Sequence, residues 1–243
     1  MKRTLKIAII GYGKMGREIE KLALAQDMII HTIIDTESDW TTKAQKLKSA
    51  DVAIEFTTPD TAVQNIYRLF ELGIPVVTGT TGWNSKFKEV EKKCKECNAT
   101  LFYASNFSVG VNIFFALNSK LAQLMAAYPE FNIALEEVHH LQKIDAPSGT
   151  AITLLNDIIS ENPGYEGWKL ATDNPNVSEI PVDAQRRAGV TGIHKIKYDS
   201  DIDLIEISHT AKNREGFARG ALMAAQWSIG REGVFSMKDM LNL

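Results

Sequence analysis

The sequence predicts an α/β protein, with a doubly wound parallel sheet in its first half and a smaller α+β domain in its second. Three observations carry that expectation. Over residues 1–106, short β-branched runs alternate with segments whose apolar residues recur every three or four positions. Beyond residue 106 this gives way to one long apolar segment and then to period-two strands. Three glycines spaced G-x-G-x-x-G stand between the first run and the first helical segment.

In order, LKIAII (5–10), MIIHTIID (28–35), DVAIEF (51–56), PVVTG (75–79) and TLFYA (100–104) read as strands. Between them KMGREIEKLALAQ, TKAQKLKS, TAVQNIYRLFELG and SKFKEVEKKCKE read as helices. Strands joined by helices of this length require right-handed crossovers, hence a parallel sheet covered on both faces. In the second half, 109–128 reads as one buried helix, 131–140 as a strand and 150–161 as a helix. The stretch 162–183, rich in Pro, Gly and Asn, reads as a long surface loop. RRAGVTGIHKIKYD and DLIEISHTAKN alternate as antiparallel strands do, and 217–230 closes the chain with an amphipathic helix. The change of pattern sets a domain boundary near Asn106.

Composition narrows the partners. With 44% hydrophobic and 23% charged residues the chain is of globular type, and a net charge of −3 argues against nucleic-acid or anionic-membrane binding. A small-molecule partner is expected. No apolar stretch reaches the roughly 18 to 20 residues that span a bilayer, and the N-terminal run meets glycine too early for a signal segment, so a cytoplasmic location is expected. Cys94 and Cys97 form a C-x-x-C pair without a second pair or a nearby histidine, which reads as a solvated helix with no metal.

The glycine turn is the first functional signal. Gly11 permits a tight strand-to-helix turn, Gly13 lets the backbone approach a pyrophosphate and Gly16 lets helix and strand pack closely. The helix start adds free N–H groups and a positive dipole end. Asp35 ends the second strand 19 residues after Gly16, where an acid can accept hydrogen bonds from a ribose. NAD or NADP is implied. Thr36 rather than an arginine follows Asp35, and Glu37 and Asp39 add negative charge, so NADH is expected to bind at least as well as NADPH. TGTTG (78–82) and ASNF (104–107) lie at strand ends, where ligands of such sheets bind, though ordinary turns have the same composition.

The second signal is EEVHHLQKIDAPSGTA, residues 136–151. Neighbours on a strand face opposite ways, so His139 and His140 are poorly arranged for one metal ion. Ser148 or Thr150 can cap the helix that follows, and no nucleophile elbow surrounds Ser148. The same helix start, beside His140 and Lys143, offers a receptor for carboxylates. Lys143 at a buried strand end requires an anion, supplied by Asp145 or by a substrate.

EVHHLQKIDAPSGTA closely resembles the substrate-site signature of the dihydrodipicolinate reductase family, also described as 4-hydroxy-tetrahydrodipicolinate reductases, of the diaminopimelate route to lysine. GYGKMGRE, EFTTPD, GTTG, SNFSVGVN and SHTAKNREGFARGAL extend the likeness along the chain. The resemblance implies that His139 and Lys143 are catalytic, as proton carriers. It implies that His140, Gly149 and Thr150 bind the substrate's carboxylates, with Ser148 beside them as a further candidate. For the cofactor it implies contacts from Gly11, Tyr12, Gly13, Lys14, Met15 and Gly16, from Asp35, from Gly79, Thr80 and Thr81, and from Ala104, Ser105, Asn106 and Phe107. It further implies a Rossmann-type dinucleotide-binding domain of 1–106 plus 217–243, a substrate-binding and oligomerisation domain of 107–216, and a homotetramer. The chain departs from the family pattern in a glycine turn shorter by one residue, a short link between second and third strands, and the missing arginine after Asp35.

The expected reaction is hydride transfer from NADH or NADPH to a cyclic dicarboxylate, completed by a proton. One rival, another two-domain NAD(P)-dependent amino-acid dehydrogenase, would keep the glycine turn without needing HHLQKIDAPSGT. A second, a non-catalytic NAD(P)-binding protein, would bind the dinucleotide without turnover.

Overall fold

The structure, a computed structural model, describes residues 4–213 and 215–243; Arg214, within the SHTAKNREGFARGAL segment, and residues 1–3 lie outside the described residues. The chain forms two compact units, Met1–Val109 with Glu215–Leu243, and Gly110–Arg214.

The first unit begins β1 (Lys6–Ile10), α1 (Lys14–Ala25), β2 (Ile29–Ile34). Two short helices, α2 (Glu37–Thr42) and α3 (Ala44–Leu47), make the brief link to β3 (Val52–Glu55). Then follow α4 (Pro59–Glu71), β4 (Val76–Thr78), α5 (Phe87–Glu96) and β5 (Thr100–Tyr103). Local chemistry sets the helix starts. The Asp39 carboxylate turns back to the Thr36 amide at 3.0 Å, and Pro59 supplies a preset first residue for α4.

The second unit follows with α6 (Val109–Met125), β6 (Asn132–His139), α7 (Gly149–Glu161), β7 (Gly167–Leu170), β8 (Glu179–Arg186), β9 (Gly192–Asp199) and β10 (Leu204–Ala211). The chain returns to the first unit for α8 (Glu215–Ser228), β11 (Gly233–Phe235) and α9 (Met237–Leu241).

In the first unit the strands lie in the order β11-β5-β4-β3-β1-β2, all parallel. Burial on both faces follows from alternation. Ile7 and Ile9 join Ile19, Ala221 and Leu222 on the side of α1 and α8, while Ala8 and Ile10 join Ile66, Leu69 and Val90 on the side of α4 and α5. Each such isoleucine or leucine contributes about 1.5–3 kcal/mol by leaving water. The strand order reverses between β1 and β3, and the crevice beyond their carboxyl ends is where ligands of open α/β sheets bind. This is a Rossmann-type α/β unit. Its sixth strand, β11, is only three residues long and carries no period that would announce it in the sequence.

The second unit is a five-stranded mixed sheet in the order β10-β9-β6-β8-β7. Phe114 and Met125 of α6 and Leu154, Leu155 and Ile158 of α7 cover one face, over Ile133, Leu135, Ile180, Val182 and Ile196. The other face carries a charged ladder in which Lys197 lies 3.5 Å from Glu136 and 3.7 Å from Glu206.

Two expectations are corrected here. Residues 162–183 are not one loop, because β7 and the start of β8 fall within them and pair in parallel, Lys169 opposite Pro181. Pro, Gly and Asn concealed a four-residue strand too short to show a period. The helix α6 is not buried all round, since Ile113, Leu117 and Leu124 are exposed.

Candidate active site

In the first unit the site grows from the turn after β1. Gly11 has φ +87°, and a Cβ there would stand 2.2 Å from the Phe56 carbonyl oxygen. At Gly16 a Cβ would stand 2.3 Å from the Gly11 carbonyl, so the turn can lie against the end of β3, and the helix against the turn, only with hydrogen at Gly11 and Gly16 respectively. Above Gly13 nothing lies within 4 Å. The Arg17 amide closes the first turn of α1 on the Gly13 carbonyl at 3.1 Å, leaving the amides of Lys14, Met15 and Gly16 without intrahelical partners.

Two clefts flank Gly13. One, of about 380 Å³, is lined by Gly11, Tyr12, Gly13, Asp35, Glu37, Trp40 and Asn65, among others. The other, of about 430 Å³, is lined by Gly13, Lys14, Met15, Gly79, Thr80 and Thr81 together with Phe56 and Thr57. Asp35 accepts a hydrogen bond from the Tyr12 amide at 2.7 Å through one carboxylate oxygen, which orients the other. Open space at Gly13, free helix-start amides and an oriented acid together fit a dinucleotide: the amides would hold the pyrophosphate and Asp35 the ribose. Ala104, Ser105, Asn106 and Phe107 line neither cleft. Phe107 is buried against Phe56 and Phe102, with centroids 5.8 and 5.9 Å away.

The floor of the second cleft depends on a residue the sequence reading passed over. Glu55 is fully buried at the end of β3, and its carboxylate gathers the Thr57 amide, the Thr80 hydroxyl and the hydroxyls of Thr57 and Thr78. Burial raises its pKa, and the four donors offset part of that shift. Thr80 is thereby committed to the scaffold, its hydroxyl also accepting from the Thr57 amide at 2.8 Å.

The second unit contributes the end of β6 and the start of α7. Alternation that points Ile133 and Leu135 into the core points Glu137 and His139 the same way one and two steps later. Antiparallel register sets His194 of β9 directly opposite Glu137. Glu137 is fully buried; one oxygen accepts the Ser148 amide at 3.0 Å, and the Arg186 guanidinium approaches the other at 3.5 Å. His139 and His194 meet edge-on, centroids 5.0 Å apart, each with a ring nitrogen 3.7 Å from Glu137. His139 Nδ1 is buried without a hydrogen-bond partner. Burial depresses both imidazoles, that of His194 to about 3, so both are neutral at neutral pH.

Lys143 finds its anion in Asp145, whose two oxygens both accept from Nζ at 2.8 Å. The ammonium holds the Asp145 carboxyl below its ordinary pKa. The loop carrying both is pinned by Arg186, which donates to the Lys143 and Asp145 carbonyls at 3.0 and 2.6 Å. Ser148 caps α7, its hydroxyl accepting from the Ala151 amide at 3.2 Å and bonded to His194 at 3.0 Å. It is buried, while Gly149 and Thr150, half-buried or more open, carry amides with no intrahelical partner. His140 is half-buried at the strand's end.

Glu137, His139 and His194 also lie close enough to share a metal ion. The Ser148 amide and the Arg186 cation already engage Glu137, and Ser148 engages His194, which suits an internal polar network better than a cation. The sequence singled out His139, His140 and Lys143 but not Glu137 or the Arg186 and His194 that the fold gathers around it. Glu137 was signalled by its two-residue spacing from His139, and His194 by its buried register in GIHKIKYD. Cys94 is buried and free, its thiol pushed up to about 11 by burial, and belongs to the α5 core.

Residues 5–107 match the family model described as dihydrodipicolinate reductase, N-terminus, and residues 110–241 the one for its C-terminus. A curated protein of Christiangramia forsetii named 4-hydroxy-tetrahydrodipicolinate reductase is 44% identical over 98% of both chains. Another of that name from Methanoculleus marisnigri is 33% identical, over 98% of this chain and all of the relative. Among solved structures, dipicolinate-bound dihydrodipicolinate reductase from Paenisporosarcina sp. TG-14 superposes with a TM-score of 0.74 at 21% identity, covering 97% of this chain and 98% of that one. With both family models matched across nearly all its length, the chain belongs to the dihydrodipicolinate reductase family.

Proposed function

We propose that this protein reduces dihydrodipicolinate, or 4-hydroxy-tetrahydrodipicolinate with loss of its hydroxyl as water, to tetrahydrodipicolinate with NADH or NADPH, in lysine and diaminopimelate biosynthesis. Membership of the family supports the reaction, and one observation in the chain supports its chemistry. A neutral, buried His139 stands within the field of the Lys143 ammonium, beside an α7 start with open amides. Such a place receives carboxylates and moves protons.

The nicotinamide, when bound, supplies the hydride. The α1 amides and Asp35 hold the dinucleotide; the α7 amides of Gly149 and Thr150, with His140, receive the ring carboxylates. Lys143 exchanges Asp145 for substrate and stabilises the negative charge that develops on the ring. It then gives up a proton, and His139, neutral and therefore able to accept at one nitrogen while donating from the other, relays it. Ser148 acts by capping α7 with its hydroxyl rather than by attacking or protonating the substrate. NADH serves at least as well as NADPH, and the active form is a homotetramer.

The assay is loss of NADH absorbance on adding fresh dihydrodipicolinate synthase product. Lys143→Ala and His139→Ala are each expected to lower kcat by at least about 100-fold, the lower end for acid–base assistance, with NADH affinity nearly intact. An unchanged kcat removes the residue from the mechanism. Turnover of other imino or keto acids but not of this product would favour a different amino-acid dehydrogenase, and NADH binding with no turnover a non-catalytic role. A strong NADPH preference in kcat/KM would defeat the NADH assignment.

A further inference from the structure

No arginine follows Asp35, yet one stands at the same end of the cofactor cleft. Thr61 and Asn65 of α4 line the cleft beside Asp35, Glu37 and Trp40. Arg68 follows one helical turn along that face of α4. Its guanidinium lies over the Trp40 ring, 5.0 Å from the centroid, and forks onto both oxygens of Glu37 at 2.9 and 2.5 Å.

The three acids at this end have distinct commitments. Asp39 bonds the amides of Asp35 and Thr36 and pairs with Lys43 at 2.7 Å. Asp35 is oriented by the Tyr12 amide toward a ribose. Glu37 lines the cleft and occupies Arg68. The Glu37 side chain is 77% exposed, so this pair is of the weak, water-screened kind. A planar guanidinium prefers phosphate or carboxylate through the same two-pronged geometry.

On the reading that this cleft takes the adenosine end of a nicotinamide dinucleotide, we infer that Arg68 is its specificity-determining residue, a receptor for a ribose 2′-phosphate that Glu37 holds occupied. Stacking on Trp40 keeps the guanidinium at the rim. A 2′-phosphate must displace the Glu37 carboxylate and then lie beside it, whereas the 2′-hydroxyl of NADH needs only Asp35. The lean toward NADH thus arises from an arginine that is neutralised, not from one that is lacking.

Calorimetric titration of the whole protein with NADH and NADPH tests this through the ratio Kd(NADPH)/Kd(NADH). Glu37→Gln is expected to lower the ratio by about fivefold, the upper end of what an exposed ion pair contributes. Adding Arg68→Gln should return it to the starting value or above, and Arg68→Lys in the Glu37→Gln background should give an intermediate ratio, because a lysine keeps the charge but loses the fork. An unmoved ratio in Glu37→Gln overturns the inference. So does a gain that persists without Arg68, since that reports only relief of negative charge. If NADH binds and the ratio does not respond, the inference fails alone; if the parent protein binds neither dinucleotide, the reading of the cleft fails and the inference with it.

Discussion

His194 shows how one buried side chain can tie stability to pH. Its ordinary pKa of 6.5 is pushed to about 3, chiefly by burial and then by the neighbouring His139. Below about 6.5 the unfolded chain takes up a proton that the folded chain refuses until about pH 3. Stability is therefore full above 6.5 and is lost as pH falls through that window, by up to about 1.4 kcal/mol per pH unit for each such group. His139 shifts in the same direction. Urea unfolding between pH 7 and pH 5 should show this slope, and His194→Gln should make it shallower whatever its effect at pH 7. A slope unaltered by the substitution would mean that His194 is not held neutral. At this scale the sequence was only partly legible. His139, His140 and Lys143 stand together in one segment, but Glu137 and His194 become neighbours only through antiparallel register, 57 positions apart in the chain.

Helix α7 depends on the cap residue just before it, Ser148, for both its own start and the chemistry beside it. Ser148 extends backward from the helix, accepts the Ala151 amide and anchors its own amide on Glu137. Composition left Ser148 and Thr150 equal candidates for this cap, and backbone geometry decided for Ser148, which has the extended conformation of a cap residue while Thr150 is already helical. Ser148→Ala should lower unfolding free energy by about 1 kcal/mol, the usual value of such a cap. Thr150→Ala should cost much less; equal effects in a denaturant titration would contradict the assignment. The glycine turn was the most legible element, because the demand at Gly11 for a positive φ is local and is met most readily by glycine.

Across the whole molecule, the apolar residues that no core absorbs give the most testable expectation. Leu204 and Ile205 are exposed on β10, an edge strand of the second sheet, and Ile113, Leu117 and Leu124 on α6. An unpaired edge bearing apolar side chains is a surface that proteins normally cover. We expect it to be covered by further copies of the chain, and sedimentation velocity should find a mass of four chains. Ile205→Glu should shift that population to smaller species; a wild-type monomer across micromolar concentrations would sink the expectation. Among the described residues no helix is long and apolar enough to cross a membrane.

The sequence by itself determined the alternating α/β order, the dinucleotide turn and the segment carrying His139 and Lys143, because each rests on spacing within a few residues, where period and turn chemistry act. Tertiary structure decided what spacing cannot express. It brought β11 from the C-terminus to β5, drew two strands out of a stretch that reads as loop, and set His194 and Arg186 around Glu137. It also brought Arg68 to Glu37 across 31 positions. Such partners are chosen by strand register and helix packing, which depend on the whole core rather than on neighbours in the chain.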